Sequence, residues 1–316
     1  MKKKNQALNF VLMAFGISWT ASAMKNLFSS GDGGGSFIGL FSWITYMLGP
    51  LVAAFVIEKF MRDQPISKSL KISFKPNRWF LFALTIMFVV IALSIGVSLL
   101  MPDVEFSWEL EGWYEKMADV MPADNLEEMR ANIEQSPIHV VWITVITALL
   151  LGPTLMGGIM LVYEIGWRGS LFKELAHFGF WNSSLLIGFL AGIWWMPTIM
   201  QNDQIQGNLW MNAGLIVLWS TLLSPLLCYI ALKANSIIAS AIGLGVLFSC
   251  MSIPQMVLYG GSDLIVSPTG LSGIIVLLIF LLLIHFFDTK FTEAQLTTLD
   301  SLEDYWDIDK SDEGIS

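Results

Sequence analysis

Ionisable side chains are scarce in this chain: 14% of its 316 residues are charged, only three are histidine, and only two are cysteine. Each shortage excludes something. Cys228 and Cys250 both fall inside apolar stretches, so neither a disulfide framework nor a soluble cysteine metal site is expected. No metal or other cofactor is expected. The balance is acidic, with a formal net charge of −9, and the lysines sit beside apolar segments, which argues against a nucleic-acid partner. A chain that is 55% hydrophobic and so sparsely charged is not an ordinary soluble globule.

What is present is a series of long apolar runs. Eight of them, at 7–28, 37–58, 79–101, 138–161, 182–201, 209–231, 235–252 and 271–287, approach or exceed the roughly 20 residues that cross a bilayer. The expected fold class is therefore all-α: a polytopic transmembrane bundle of about eight helices over residues 1–287, surrounded by membrane lipid. The first run follows Lys2-Lys3-Lys4 and contains Ala21-Ser22-Ala23, which together also meet the template of a secretory signal. Its apolar character continues past Trp19 and Met24 toward Phe28, long enough to span, and favours an uncleaved first helix. All basic residues except Lys25, Lys116 and Arg130 fall on one side of the predicted spans. The positive-inside rule then places both termini in the cytoplasm of a multi-pass cell-membrane protein.

Two polar stretches are acidic. The outer loop, 102–136, has ten acidic residues against Lys116 and Arg130. Its portion from Asp124 to Gln135 reads as a helix with Asp124 as N-cap and Glu127 and Glu128 in the first turn. The tail, 288–316, has nine acidic residues against Lys290 and Lys310, and its composition predicts a largely disordered cytoplasmic segment, disordered beyond about Asp300, in which Tyr305 and Trp306 could anchor a partner or the membrane interface. Residues 163–178 join the fourth and fifth spans; within them Trp167 to Leu175 alternates apolar and charged residues at helical spacing and is expected to lie along the cytoplasmic interface, with Lys173 snorkelling. Gly188 and Gly192 form a small-xxx-small pattern that permits close helix approach.

One pair of charges stands out. Glu164 and Arg168 are four residues apart at the end of an apolar run, a spacing that lets them face each other on one helix. An ionisable residue near the centre of a spanning helix costs about 2.5 to 3.5 kcal/mol, so such residues persist mainly where they are paired or used. Two readings stay open on the residues alone: an ion pair that fastens helices together, or part of an active site.

The motif Glu164-Ile165-Gly166-Trp167-Arg168-Gly169 resembles the first motif of the CPBP family (CAAX protease and bacteriocin-processing, also called Abi), which reads Glu-Glu-x-x-x-Arg. Leu48-Gly49-Pro50-Leu51-Val52-Ala53-Ala54 is similar to the family's Gly-Pro-x-x-Ala-Ala helix. The segment from Gly188 through Trp194-Trp195-Met196-Pro197 is similar to its Trp-His-x-Pro segment, and Asn235-Ser236-Ile237-Ile238-Ala239-Ser240 to the start of its third motif helix. The resemblance implies a CPBP-type fold and a bacterial glutamate-type intramembrane endopeptidase. In such an enzyme a first-motif Glu and two later histidines activate water, while an Asn stabilises the oxyanion.

Residue by residue, most of that machinery is replaced. Tyr163 stands where the first Glu is expected, leaving Glu164 and Arg168. Trp195 stands at the second-motif His, Leu244 at the third-motif His and Phe248 at the Asn. Trp, Leu and Phe side chains cannot take the proton, and Leu and Phe offer no oxyanion donor. The histidines do not substitute: His139 lies roughly 35 Å from Glu164 by helix rise, and His177 and His285 fall outside the motif helices. Ser224, Ser236, Ser240 and Ser249 read as helix-packing residues. The expectation is a non-catalytic CPBP-like membrane protein, acting as scaffold, regulator or immunity partner through a protein partner in the membrane. The alternative is a working peptidase with a rearranged centre on Glu164. A transporter is disfavoured by the lack of an inverted repeat.

Overall fold

Apolar stretches of this length can satisfy their own backbone groups only as helices, and helices are what they form. The computed structural model describes residues 6–28, 35–201 and 208–306. In chain order it contains α1 (Gln6–Phe28), α2 (Gly35–Phe55), α3 (Arg78–Ser98), the short strand β1 (Val104–Phe106), α4 (Glu111–Ala118), α5 (Ala123–Glu134), α6 (Val140–Leu150), α7 (Gly157–Glu164), α8 (Gly179–Trp194), α9 (Leu209–Ala234), α10 (Ile237–Cys250), the strand β2 (Leu258–Gly260) and α11 (Leu271–Phe291), with shorter helical turns between them. Several helices start on a capping side chain that satisfies a first-turn amide. Asn77 accepts from the Trp79 amide at 2.9 Å, Asn208 from the Trp210 amide at 3.1 Å, and Ser236 from the Ile238 amide at 3.1 Å. Asn235 ends α9 in the left-handed conformation (φ 50°), which Asn tolerates, so α9 and α10 join through a tight turn.

Among the described residues, seven helical stretches are long and apolar enough to cross a membrane, so the structure is a polytopic helical bundle. The sequence predicts eight spans, and the difference lies at the fourth and fifth. Val140–Leu150 is short by itself, while a single apolar helical stretch runs from Gly152 to Met200. π-helical turns at Gly152–Met156 and Ile165–Leu171 interrupt its α geometry, as does a 3₁₀ turn at Ala176–Phe178. α9 and α10 are the most buried spans and form the centre of the bundle. α8 lies close on α9: a Cβ at Gly188 would stand 2.6 Å from Ser224 Cβ, and one at Gly192 2.8 Å from Val217 Cα. The two glycines therefore serve the close approach that their spacing permits.

The outer loop is more structured than its composition implies. β1 pairs antiparallel with β2, Glu105 opposite Tyr259, which ties the loop to the segment after α10. The expected helix is present as α5, but it starts at Ala123 with Pro122 at the N-cap and no side-chain cap, so Asp124 lies in the first turn instead of preceding it.

Two further expectations are corrected. Residues 163–176 do not lie along a surface, although His177 and Phe178 are exposed: Gly166 to Phe172 are all buried, and their helix packs directly on α2, where a Cβ at Gly166 would collide with Pro50. The tail, expected to be disordered beyond about Asp300, is ordered through Trp306, and 307–316 lie outside the described residues. Leu296, Leu302, Tyr305 and Trp306 are buried against the bundle. The Leu302 amide donates to the Ala176 carbonyl at 2.8 Å, the Tyr305 hydroxyl to the Leu232 carbonyl at 3.0 Å, and the Trp306 ring meets Phe172 edge-on with centroids 6.0 Å apart. Gly179, with φ 75°, lets the backbone of Leu299 approach, since a Cβ there would lie 2.6 Å from the Leu299 carbonyl oxygen. Four apolar anchors outweigh the acidic composition, because the charged residues between them point outward while the anchors do not.

Candidate functional site: a sealed carboxylate and a charged network

Glu164 ends α7 and Arg168 lies in the π-helical turn that follows it. Neither reaches solvent: Glu164 is 0% and Arg168 2% exposed. Arg168 Nη1 donates to Glu164 Oε1 at 2.8 Å, and Ser240 Oγ, from α10, donates to Glu164 Oε2 at 2.6 Å. Each carboxylate oxygen therefore already has a donor, one from its own helix and one from the central helix α10. The Ser240 hydroxyl has a second acceptor, the Ile237 carbonyl, 2.9 Å away. Thus Ser240 does more than pack. It joins two helices through a charge-assisted hydrogen bond, the stronger kind.

Around this pair the neighbours are aromatic rings. The Tyr163 ring lies 5.5 Å from the Arg168 guanidinium and is surrounded by Trp194 at 5.6 Å, Trp167 at 5.9 Å and Trp195 at 6.2 Å between centroids. Trp195 also packs on Tyr46 and, at 6.5 Å, on Phe248. The Tyr46 hydroxyl donates to the Trp194 carbonyl. Leu244 is buried one helical turn beyond Ser240. The structure thus places Tyr163 beside Arg168, Trp195 against Tyr163 and Phe248 behind Trp195, with Leu244 on the helix that supplies Ser240.

The three histidines are committed elsewhere. His139 caps α6, accepting from the Val141 amide at Nδ1 and pairing Nε2 with the Trp108 carbonyl at 2.9 Å, and its ring stacks on Trp108. His177 contacts the Glu174 carbonyl and His285 the Thr297 hydroxyl. Both are exposed. Among the described residues, no group of three or more His, Cys, Asp or Glu side chains is placed to hold a metal ion.

A second buried carboxylate was not singled out from the sequence. Glu58, at 0% exposure, lies in the π-helical turn Val56–Met61 that extends α2. Its Oε1 accepts from Arg62 Nη1 at 3.1 Å and its Oε2 from Lys173 Nζ at 3.1 Å, with Ser69 also donating to Oε2. Arg62 pairs with Glu174 as well and donates through Nε to Gln6 at 2.9 Å, while Lys173 reaches Gln64 at 2.9 Å. So Lys173 turns inward to a carboxylate instead of snorkelling outward. The sequence did carry a signal. Glu58-x-x-x-Arg62 has the spacing of Glu164-x-x-x-Arg168, and each follows a Leu-Gly-Pro triplet, Leu48-Gly49-Pro50 and Leu151-Gly152-Pro153. A third buried carboxylate, Asp288, accepts from Lys233 at 3.2 Å, the Tyr229 hydroxyl at 3.1 Å and the Thr297 amide at 2.7 Å, and so holds the C-terminal segment to α9 and α11.

Compared with known proteins, the chain matches no family model and no curated protein.

Proposed function

We propose that this chain is a non-catalytic, CPBP-like integral membrane protein that acts as a scaffold, regulator or immunity partner for another membrane protein. In this reading both termini face the cytoplasm of a bacterial cell. The observation that carries it is the state of Glu164: completely buried, with one oxygen taken by Arg168 and the other by Ser240. A general base must come within hydrogen-bond reach of the water it activates, and that water must reach the substrate. Here the carboxylate faces donors from its own protein, and aromatic rings stand where the resemblance to CPBP peptidases expects proton-transferring groups. A carboxylate so placed works as a fastening between α7 and α10.

One contact favours the second reading, a peptidase with a rearranged centre: the Ser240 hydroxyl bonded to Glu164 pairs a nucleophile type with a base type. Both residues are at 0% exposure, so a peptide bond could reach them only after the surrounding packing opened.

The discriminating experiment is crosslinking in native membranes followed by mass spectrometry, on the wild type and on Glu164→Gln/Arg168→Met, which removes the carboxylate without stranding a charge. The expected result is the same partner, at the same length, bound to both. A longer, unprocessed form accumulating on the double variant would establish proteolysis and overturn the scaffold reading.

A further inference from the structure

At the end of the bundle opposite Glu58 and Glu164, a cavity of about 500 Å³ opens between α4, α5 and the start of α6. That volume lies within the range of small-ligand pockets. One wall is the Trp108–His139 stack, two nearly parallel rings with centroids 4.1 Å apart. The opposite wall is Tyr114, 7% exposed, with the Arg130 guanidinium 4.4 Å from its ring centroid. Three carboxylates line the same space: Glu109, Glu111 and Glu134. Leu110, buried and held in the left-handed conformation (φ 63°), sets the turn that brings Glu109 and Glu111 to it. His139 Nδ1 is occupied as the cap of α6, so this ring presents its face to the cavity wall and not a free nitrogen.

We propose that this cavity binds an organic cation, an ammonium or guanidinium group carried on a short apolar stem. Three carboxylates against one guanidinium leave the lining net negative, and aromatic faces attract cations through the ring quadrupole. The molecule already displays the mode: Arg130 lies over Tyr114 with Glu134 one turn away on the same helix. The Tyr114 hydroxyl points to a ligand independently of the charges. It belongs to a side chain more than nine-tenths buried, it lines the cavity, and it has no hydrogen-bond partner among the described residues. Burial pushes this phenol above its usual range, which keeps it a neutral donor and acceptor. The ten acidic residues of the loop supply the long-range field that draws a cation toward the opening. The source is either a free diamine-type molecule or a basic side chain of a peptide, and the chemistry recognised is the same.

Saturation-transfer NMR on the full chain in nanodiscs tests this. The probes are agmatine, a capped Gly-Lys-Gly peptide, and n-butanol as a neutral comparator. Agmatine is expected to bind and n-butanol not to. Glu111→Gln/Glu134→Gln should weaken binding roughly tenfold, and Tyr114→Phe about threefold. Glu127→Gln, outside the cavity, should change nothing. A peptide binding as tightly as agmatine assigns the site to a basic side chain, and agmatine binding alone assigns it to a free amine. No saturation by agmatine, equal saturation by n-butanol, or a loss below about threefold in the double variant overturns the proposal. If the double variant does not assemble, Glu111→Gln alone serves, with a loss below about twofold as the overturning result.

Discussion

Two Glu-x-x-x-Arg pairs occupy this bundle, and they differ in what surrounds them. Glu164–Arg168 is a single ion pair inside a shell of Tyr163, Trp167, Trp194 and Trp195, with Ser240 adding a hydrogen bond to the carboxylate. Glu58–Arg62 belongs to a network in which Lys173, Ser69, Glu174 and Gln6 share the charges, and Arg62 keeps 15% exposure. The same spacing on the same kind of π-helical turn therefore gives two kinds of fastening. In the first, each charge has a single partner of opposite sign. In the second, several partners can compensate for a loss. The cost of removing a charge follows the number of remaining partners more than it follows burial, since both glutamates are at 0% exposure.

The sharpest way to break this comparison is to remove one member of the isolated pair. Arg168→Met leaves Glu164 charged and held only by Ser240, which should cost about 3–5 kcal/mol and deplete the protein from the membrane. Thermal unfolding in detergent and immunoblot abundance read the effect. In the network, Glu58→Gln keeps an acceptor for Lys173 and Ser69 while Arg62 retains Glu174, so the loss should be smaller, about 1–3 kcal/mol. A larger loss for Glu58→Gln than for Arg168→Met would sink the idea that partner number decides. Ser240→Ala removes one hydrogen bond and leaves the ion pair, for about 1–2 kcal/mol by the same melting assay. Smallest of all, Arg62→Lys keeps a cation at a partly exposed site and should shift stability by less than about 1 kcal/mol.

Much of the fold was legible because the bilayer demands long apolar runs: each predicted span corresponds to helix in the structure, and Gly188–Gly192 marks a real close approach. The count of spans was not legible, because nothing local distinguishes an α-helical turn from the π-helical turns that carry Gly152 to Met200 in one run. The C-terminal segment was misread for a compositional reason. Its charges dominate any window average, while Leu296, Leu302, Tyr305 and Trp306, which decide its docking, are too few to register. In the site, Glu164 and Arg168 were recognisable by spacing, whereas Tyr163, Trp195 and Phe248 stood out only through the resemblance to the CPBP motifs. Ser240 and Glu58 were not recognisable. Their roles depend on which helix faces which, and only the repeated Leu-Gly-Pro and Glu-x-x-x-Arg pattern hinted at the second of them.

Under the proposed function, Glu164 and Arg168 hold the bundle together and perform no chemistry. The most direct measurement is the melting midpoint and membrane abundance of Glu164→Gln/Arg168→Met beside each single variant. Replacing a buried pair by neutral groups of similar volume is often neutral or stabilising, by about 1–4 kcal/mol. The double variant should therefore recover most of the stability that Arg168→Met loses, and retain the bound partner. A double variant as unstable as the single ones, or one that is stable but releases or fails to process its partner, would contradict the account.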